Sequence, residues 1–250
     1  VIDPGSDEAC LRELASGRRT DVLIDTHYHE DHTAFHRLFP GAELWVHEAE
    51  APCHRSYGTF LDFYGLSGNP WRKEWDEFLI GKFHWRERNP ARELRDGEML
   101  EFGRTRAQVI HTPGHTAGHI CLHFPDEGIL FLADYDLTPF GPWYGDFCSD
   151  IGQTIASVRR LLAVPARTWI TGHQLGIVEE GFVALAEAYL EAIDRREAKL
   201  LEALETPLSL DEIVERWIIY GRERRPRYFF DLGEREMMRK HLERLVASGR

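Results

Sequence analysis

The sequence predicts a layered α/β fold. Short apolar strands alternate with helical segments over residues 1–50, and the strand signal returns over residues 104–171 after an aromatic-rich interruption. Hydrophobic residues make up 43% of the 250, enough for a substantial core, while no apolar run approaches the roughly 20 residues a membrane helix needs.

In chain order, Val1-Ile-Asp-Pro-Gly5 reads as the end of a strand with its turn, so the chain is expected to start inside a fold, with strands ahead of it missing. No secretory signal is visible. Residues 7–16 are predicted as a helix, 21–26 as a buried strand, 33–38 as a helix and 42–47 as a strand. Residues 51–95 carry Phe60, Phe63, Tyr64, Trp71, Trp75, Phe78, Phe83 and Trp85 among charges and read as a helical insertion. Strands follow at 104–110, 120–124, 128–133 and 168–171, with a Pro-, Gly- and aromatic-rich loop at 137–148 and a helix near 151–162. A helix over 182–205 closes this body. Thr206-Pro207 breaks the chain, Ser209-Leu-Asp-Glu212 supplies a capping pattern for a helix to about Tyr220, 222–227 is a basic linker, and 232–248 is a last helix. The predicted division is therefore 1–205 and 206–250.

Charge and cysteine content narrow the function. The net charge is −12, but residues 195–250 hold 13 Lys+Arg against 11 Asp+Glu, so residues 1–194 carry −14. An acidic body repels a polyanion, which disfavours nucleic acid as a partner. Cys10, Cys53, Cys121 and Cys148 are scattered with no C-x-x-C pair, which argues against a thiolate metal site and fits reduced thiols in a cytoplasmic protein.

The chemistry is concentrated at the strand ends. Five of the six residues from His27 to His32 can bind or activate a metal: His27, His29, Glu30, Asp31 and His32. Imidazole nitrogen and carboxylate oxygen are the donors that zinc and related ions prefer. Three later loops that follow predicted strands add His115 (within His111-Thr-Pro-Gly-His115-Thr-Ala-Gly118-His119), Asp134 and His173. Ligands gather at the carboxyl ends of strands in layered sheets, so these loops can converge.

In order and spacing, His27-x-His29-x-Asp31-His32, Thr-Pro-Gly-His115, Asp134 and Gly-His173 resemble the metallo-β-lactamase superfamily over roughly residues 1–185. The resemblance implies an αββα sandwich with a two-metal site. His27, His29 and His115 would hold one ion, Asp31, His32 and His173 the second, and Asp134 would bridge. It implies zinc first, with iron or manganese as alternatives, and a metal-activated hydroxide that Asp31 would orient or whose proton it would shuttle. Two departures affect loop shape: Thr33-Ala-Phe35 replaces the Gly-rich turn after the first motif, and Ala133 stands where many members have Gly.

His119 is expected to pack at a strand end, His111 either to pack or to support a ligand, and Asp136 to hydrogen bond around the site. Trp143 and Tyr144 are the expected substrate-binding residues, and the insertion is expected to pack over the sandwich with only its edge near substrate, or to form a dimer contact. The tail at 206–250 resembles the winged-helix-like domain that follows the lactamase domain in a subset of these hydrolases, apparently truncated. The reading that results is a two-metal hydrolase of ester-like bonds in small molecules, a hydroxyacylglutathione-type thioester first. Its alternatives are an endoribonuclease and a mononuclear-iron persulfide dioxygenase, with a binding module or an antibiotic-degrading lactamase less favoured.

Overall fold

A computed structural model describes residues 1–249. Helix α1 (Glu8–Gly17) is capped by the Asp7 carboxylate on the Cys10 amide and leads into β1 (Val22–Asp25), whose end carries the short helix α2 (Glu30–Thr33). A 3₁₀ turn at His36–Leu38 precedes β2 (Glu43–His47). The insertion contains α3 (Ala51–Arg55), α4 (Tyr57–Tyr64) and α5 (Arg72–Asp76), the last running on as a π turn at Glu77–Lys82. Strands β3 (Arg92–Leu94), β4 (Met99–Phe102), β5 (Thr105–His111), β6 (Ile120–Phe124) and β7 (Ile129–Ala133) follow. Then come α6 (Ile151–Leu161), β8 (Thr168–Thr171), β9 (Ile177–Val178), α7 (Phe182–Ala203), α8 (Leu210–Val214) and α9 (Arg227–Ala247).

The strands form two sheets. One is parallel, β1-β2-β3; the other is mixed, ordered β4-β5-β6-β7-β8-β9, with β7 and β8 parallel. Side chains alternate between faces, and the alternation sorts the residues into layers. Leu23, Leu44 and Val46 pack with Leu11, Ala15 and Phe39 on the outer side of the first sheet. Ile24, Leu94, Leu100, Val109, Ile120 and Leu122 fill the space between the sheets. Ile110, Cys121, Leu130 and Leu132 face Val158 and Leu161 of α6 and Phe182, Ala186 and Tyr189 of α7. The result is the αββα sandwich, and its shared strand-end edge carries the site.

Ile2 bridges Ile24 in parallel and the Asp3 amide donates to the Ile24 carbonyl, so residues 1–5 form the strand end and turn that their sequence predicts. Four expectations change, the first being the last helix, expected over 232–248, which begins at Arg227 and takes in the end of the predicted linker. Helix starts at Glu30 rather than 33, because the motif itself turns helically, and the stretch 33–38 becomes a 3₁₀ turn. The insertion is shorter than 51–95: Arg92–Leu94 pairs with β2, and its alternation is too brief to read from sequence. The helix expected from Ser209 to Tyr220 stops at Val214, shortly before Trp217 takes a left-handed φ of 52°. Its predicted capping box is present, with Ser209 and Glu212 bonding reciprocally.

The tail does not stand apart from the body. Ile213, Ile218, Met237, Met238 and Leu245 share one core with Tyr144, Ile151, Ile193 and Leu200. At its start, α9 brings Tyr228, Phe229 and Leu232 against the insertion core of Tyr28, Phe60, Tyr64 and Trp75. All four cysteines are free, and among the described residues no helix is long and apolar enough to cross a membrane.

Candidate metal centre and active-site cavity

The seven residues singled out in the sequence come together. Donor atoms of His27, His29, His115 and Asp134 lie within 4.8 Å of one another, as do those of Asp31, His32 and His173. Asp134 approaches both groups: one oxygen is 3.4 Å from His115 Nε2 and 3.4 Å from His173 Nε2, and the other is 3.0 Å from His32 Nε2.

The protonation pattern of the first group follows from its outer contacts. Thr26 Oγ1 donates to Asp3, so it accepts from His27 Nδ1 at 3.0 Å. His29 Nε2 faces the Asp146 carboxylate at 2.8 Å, and His115 Nδ1 faces the Trp143 carbonyl at 3.0 Å; both partners can only accept. Burial would lower His29, but the Asp146 carboxylate outweighs it and raises the ring to about 9; with a metal bound, each ring would keep its one N–H on the outward side. The nitrogens left, His27 Nε2, His29 Nδ1 and His115 Nε2, face one another across 3.0–3.2 Å. Three ring nitrogens this close need a positive charge among them, either a proton on His29 or a metal ion that replaces it. In the second group, both ring nitrogens of His32 and one oxygen of Asp134 are buried and misaligned for hydrogen bonds despite their close approach. Buried polar atoms without partners are costly. These donors fit divalent cations.

Electrostatics agree with an anionic bridge. Burial alone would raise the Asp134 carboxyl, but His32 and His27 hold it well below the usual carboxylate range. The hydrogen bond that His173 donates to the Asp134 carboxylate raises His173 to about 9.

The surrounding shell was mostly hidden from the sequence. Glu50, fully buried, accepts from the Tyr28 amide, the Thr116 hydroxyl and the Gly118 amide, tying the β1 loop to the β5–β6 loop. Asp146, also fully buried, accepts from His29 and the Tyr28 hydroxyl, while Lys240 of α9 donates to its backbone carbonyl. Asp136 accepts from the His173 amide at 2.9 Å, the supporting contact its position suggests. His119 does more than pack: Nδ1 meets the Thr112 hydroxyl and Nε2 accepts from the Asp134 amide at 3.3 Å. His111 stacks on His47, ring centroids 4.0 Å apart, outside the cluster.

Backbone geometry fixes the loops. Ala133 adopts φ 49° at a register shift between β7 and β8, which ends the strand and turns Asp134 inward. A Cβ at Gly5 would overlap the Asp31 carbonyl, so the Pro4-Gly5 turn seats directly under the first motif.

A cavity of about 340 Å³ opens over the cluster, reaching His29, Asp31, His115 and Asp134. Trp143 lines it. Tyr144 does not: it is fully buried, donates to His241 Nε2 at 2.8 Å and accepts from Arg196, because the loop turns it into the core shared with α9. Of the insertion only Tyr64 reaches the cavity; Phe60, Leu61, Leu66, Trp75, Leu79 and Trp85 pack as core, while Trp71 stays exposed. Tyr220, Arg224, Phe229 and Phe230 complete the wall; none carries a sequence signal that points there.

Residues 1–173 match the family model described as the metallo-beta-lactamase superfamily. The chain belongs to that superfamily. It is 30% identical over 203 residues to a hydroxyacylglutathione hydrolase of Aeromonas hydrophila, covering 78% of this chain and 65% of that protein. A hydroxyacylglutathione hydrolase of Rhizobium meliloti is 33% identical over 206 residues, covering 80% and 67%. The chain spans only part of such relatives, from 67% of the Rhizobium meliloti protein and 56% of one from Rhodospirillum rubrum down to 37% of one from Cereibacter sphaeroides. A metallo-beta-lactamase family protein of Thermus thermophilus superposes with a TM-score of 0.69 at 26% identity, covering 92% of this chain and 75% of that one.

Proposed function

We propose that this chain is a metal-dependent hydrolase of ester-like bonds, a thioester of the hydroxyacylglutathione type being the leading candidate. The observation that carries this reading is the set of converging imidazole nitrogens beside Asp134, at the floor of a cavity sized for a small molecule. In this reading His27, His29 and His115 would hold one divalent ion and Asp31, His32 and His173 the other, with Asp134 available to both groups. Bound there, two ions would lower the pKa of water and polarise the ester carbonyl.

The protein's own groups divide the remaining work. Asp31, with its side chain 40% exposed and one oxygen 3.5 Å from His173 Nε2, takes up the proton of the attacking water and returns it to the leaving thiol. Hydrolysis is balanced by that transfer: hydroxyl goes to the acyl carbon, the C–S bond breaks, and the proton goes to sulfur. Asp146 and the Trp143 carbonyl hold the His29 and His115 rings in the tautomers whose free nitrogens face inward. Residues 1–205 form the catalytic unit, and the tail at 206–250 closes one wall of its cavity.

Metal analysis of the purified protein, coupled to thioester, lactone, β-lactam and phosphodiester substrates with labelled RNA alongside, tests the reading. Bound divalent metal and thioester hydrolysis abolished by His115→Ala are expected. Absence of bound metal, or hydrolysis that survives His115→Ala, overturns it.

A further inference from the structure

Six aromatic rings from three separate parts of the chain meet over the candidate metal centre: Tyr64 of the insertion, Phe140 and Trp143 of the β7–α6 loop, and Tyr220, Phe229 and Phe230 of the tail. Aromatics at such spacing ordinarily belong to a core. Here Phe140 is 38% exposed, and Trp143, Phe229 and Phe230 are half-buried, so ring faces and edges remain open to the cavity. The rings are held before any ligand arrives. The Trp143 indole N–H donates to the Tyr220 hydroxyl at 3.2 Å, Phe140 stacks on Tyr220 with centroids 5.8 Å apart, and Phe230 meets Tyr220 edge-on at 5.0 Å. Gly233 leaves room for the Tyr220 hydroxyl, which a Cβ there would strike.

Arg224 is the one Lys or Arg among the described residues of this lining. Arg225 is engaged with Glu223, and Arg227 with Glu215 and Asp231, while Arg222 does not line the cavity. Arg224 is exposed and makes no ion pair or hydrogen bond with the described residues. An uncommitted guanidinium at the mouth of a body carrying −14 is the place where an anionic group gains most.

We propose that this cavity selects esters that bear a flat apolar ring and an anionic group, the ring packing into the aromatic box and the anion meeting Arg224. The proposal rests on the hydrolase reading but directs it to aryl-bearing substrates, since a hydroxyacylglutathione offers anionic groups and no such ring. A small polar acyl group alone would leave the ring faces wet, whereas an aryl group covers them and gains stacking contacts. The cavity volume of about 340 Å³ lies near the lower end of small-molecule sites, room for a ring and the reacting bond with the rest of the substrate in water.

The test uses the metal-loaded chain and thioethers that cannot be hydrolysed, so binding is read apart from turnover. Calorimetry compares S-benzyl with S-ethyl 3-mercaptopropionate, and S-benzyl 3-mercaptopropionate with its neutral amide. The benzyl compound is expected to bind at least tenfold tighter than the ethyl one, a ratio that falls below threefold in Phe230→Ala and also falls in Phe230→Leu, which keeps bulk without a ring. The acid is expected to bind about threefold to fivefold tighter than the amide, a modest ratio because Arg224 is solvated. That ratio should vanish in Arg224→Gln and in 0.5 M NaCl. Equal binding of benzyl and ethyl compounds, or equal weakening of both by Phe230→Ala, overturns the ring assignment. An acid-to-amide ratio that Arg224→Gln leaves unchanged overturns the anion assignment. Failure to hydrolyse any thioester, S-benzoyl or S-acetyl, would count against the hydrolase reading, while the binding ratios would still decide this one.

Discussion

Replacing Asp146 by Asn changes one atom in the support of His29 and should weaken one metal site selectively. Asp146 is fully buried, and a single carboxylate oxygen accepts from both His29 Nε2 and the Tyr28 hydroxyl. The Asn amide oxygen can accept the same two bonds, but without charge. A bond to a charged group is worth about 1.5–3 kcal/mol against about 0.5–1.5 for a neutral one. The other oxygen of Asp146 has no partner, so the new NH₂ would be buried without an acceptor, costing about 1–3 kcal/mol more. Carboxylates behind a metal-binding imidazole typically govern affinity by about 10–100-fold, equivalent to about 1.4–2.8 kcal/mol. Zinc affinity measured by competition with a chromophoric chelator should therefore fall by about that factor at the His27–His29–His115 site and stay within about threefold at the other. Thermal melting of chelator-treated protein, run in parallel, separates this from simple loss of stability. If the melting temperature drops while both affinities hold, Asp146 supports the loop alone and the argument from tautomer and charge is wrong.

Other consequences are equally direct. Gly5→Ala forces a methyl into the Asp31 carbonyl, and overpacking of this kind costs about 1–3 kcal/mol; the melting temperature should fall by several degrees and thioester hydrolysis with it, whereas unchanged melting would show that the turn yields freely. Removing metal with chelator should lower the melting temperature by at least about 8 °C, since a site saturated a thousandfold above its Kd contributes about 4 kcal/mol and each kcal/mol moves a chain of this size about 2–4 °C; re-addition of zinc should restore it, and a chelator-insensitive melt would contradict the two-ion reading. Burial first, with nearby cations also contributing, depresses His54 to about 4 and His241 to about 3. Their unfolded value is about 6.5, so the unfolded chain binds more protons below that pH, and the stability they contribute is present above about 6.5 and lost as pH falls toward about 4 and 3. At pH 5.5 each should cost about 1.4 kcal/mol. His241→Gln, which keeps an acceptor for Tyr144, should show a smaller fall in melting temperature between pH 7.5 and 5.5; an equal fall would refute the assignment.

Much of the site was legible because metal chemistry restricts residue type and strand-end position. His27, His29, Asp31, His32, His115, Asp134 and His173 each follow a strand, and the two sheets bring those ends to one edge. Long strands such as Thr105–His111 and the helices Ile151–Leu161 and Phe182–Ala203 were visible in their periodicity. Strands β3 and β9, of three and two residues, were not, because so brief a pattern has no period to detect, and β4 went unread as well. Trp143 and Tyr144 show the limit most clearly. Neighbours in sequence with similar side chains, they part at the loop, one toward the cavity and the other into the core against His241 and Arg196.

The sequence by itself determined the layered α/β class, the donor residues and the kind of ion they prefer, since those follow from local periodicity and from the chemistry of imidazole and carboxylate. Tertiary structure alone decided which nitrogens face inward, that Glu50 and Asp146 brace the loops, and that Tyr220, Arg224, Phe229 and Phe230 reach back over the site. Those contacts join residues dozens to more than a hundred positions apart. Their partners are chosen by how the sheets and helices pack, and no local pattern in the chain encodes that packing.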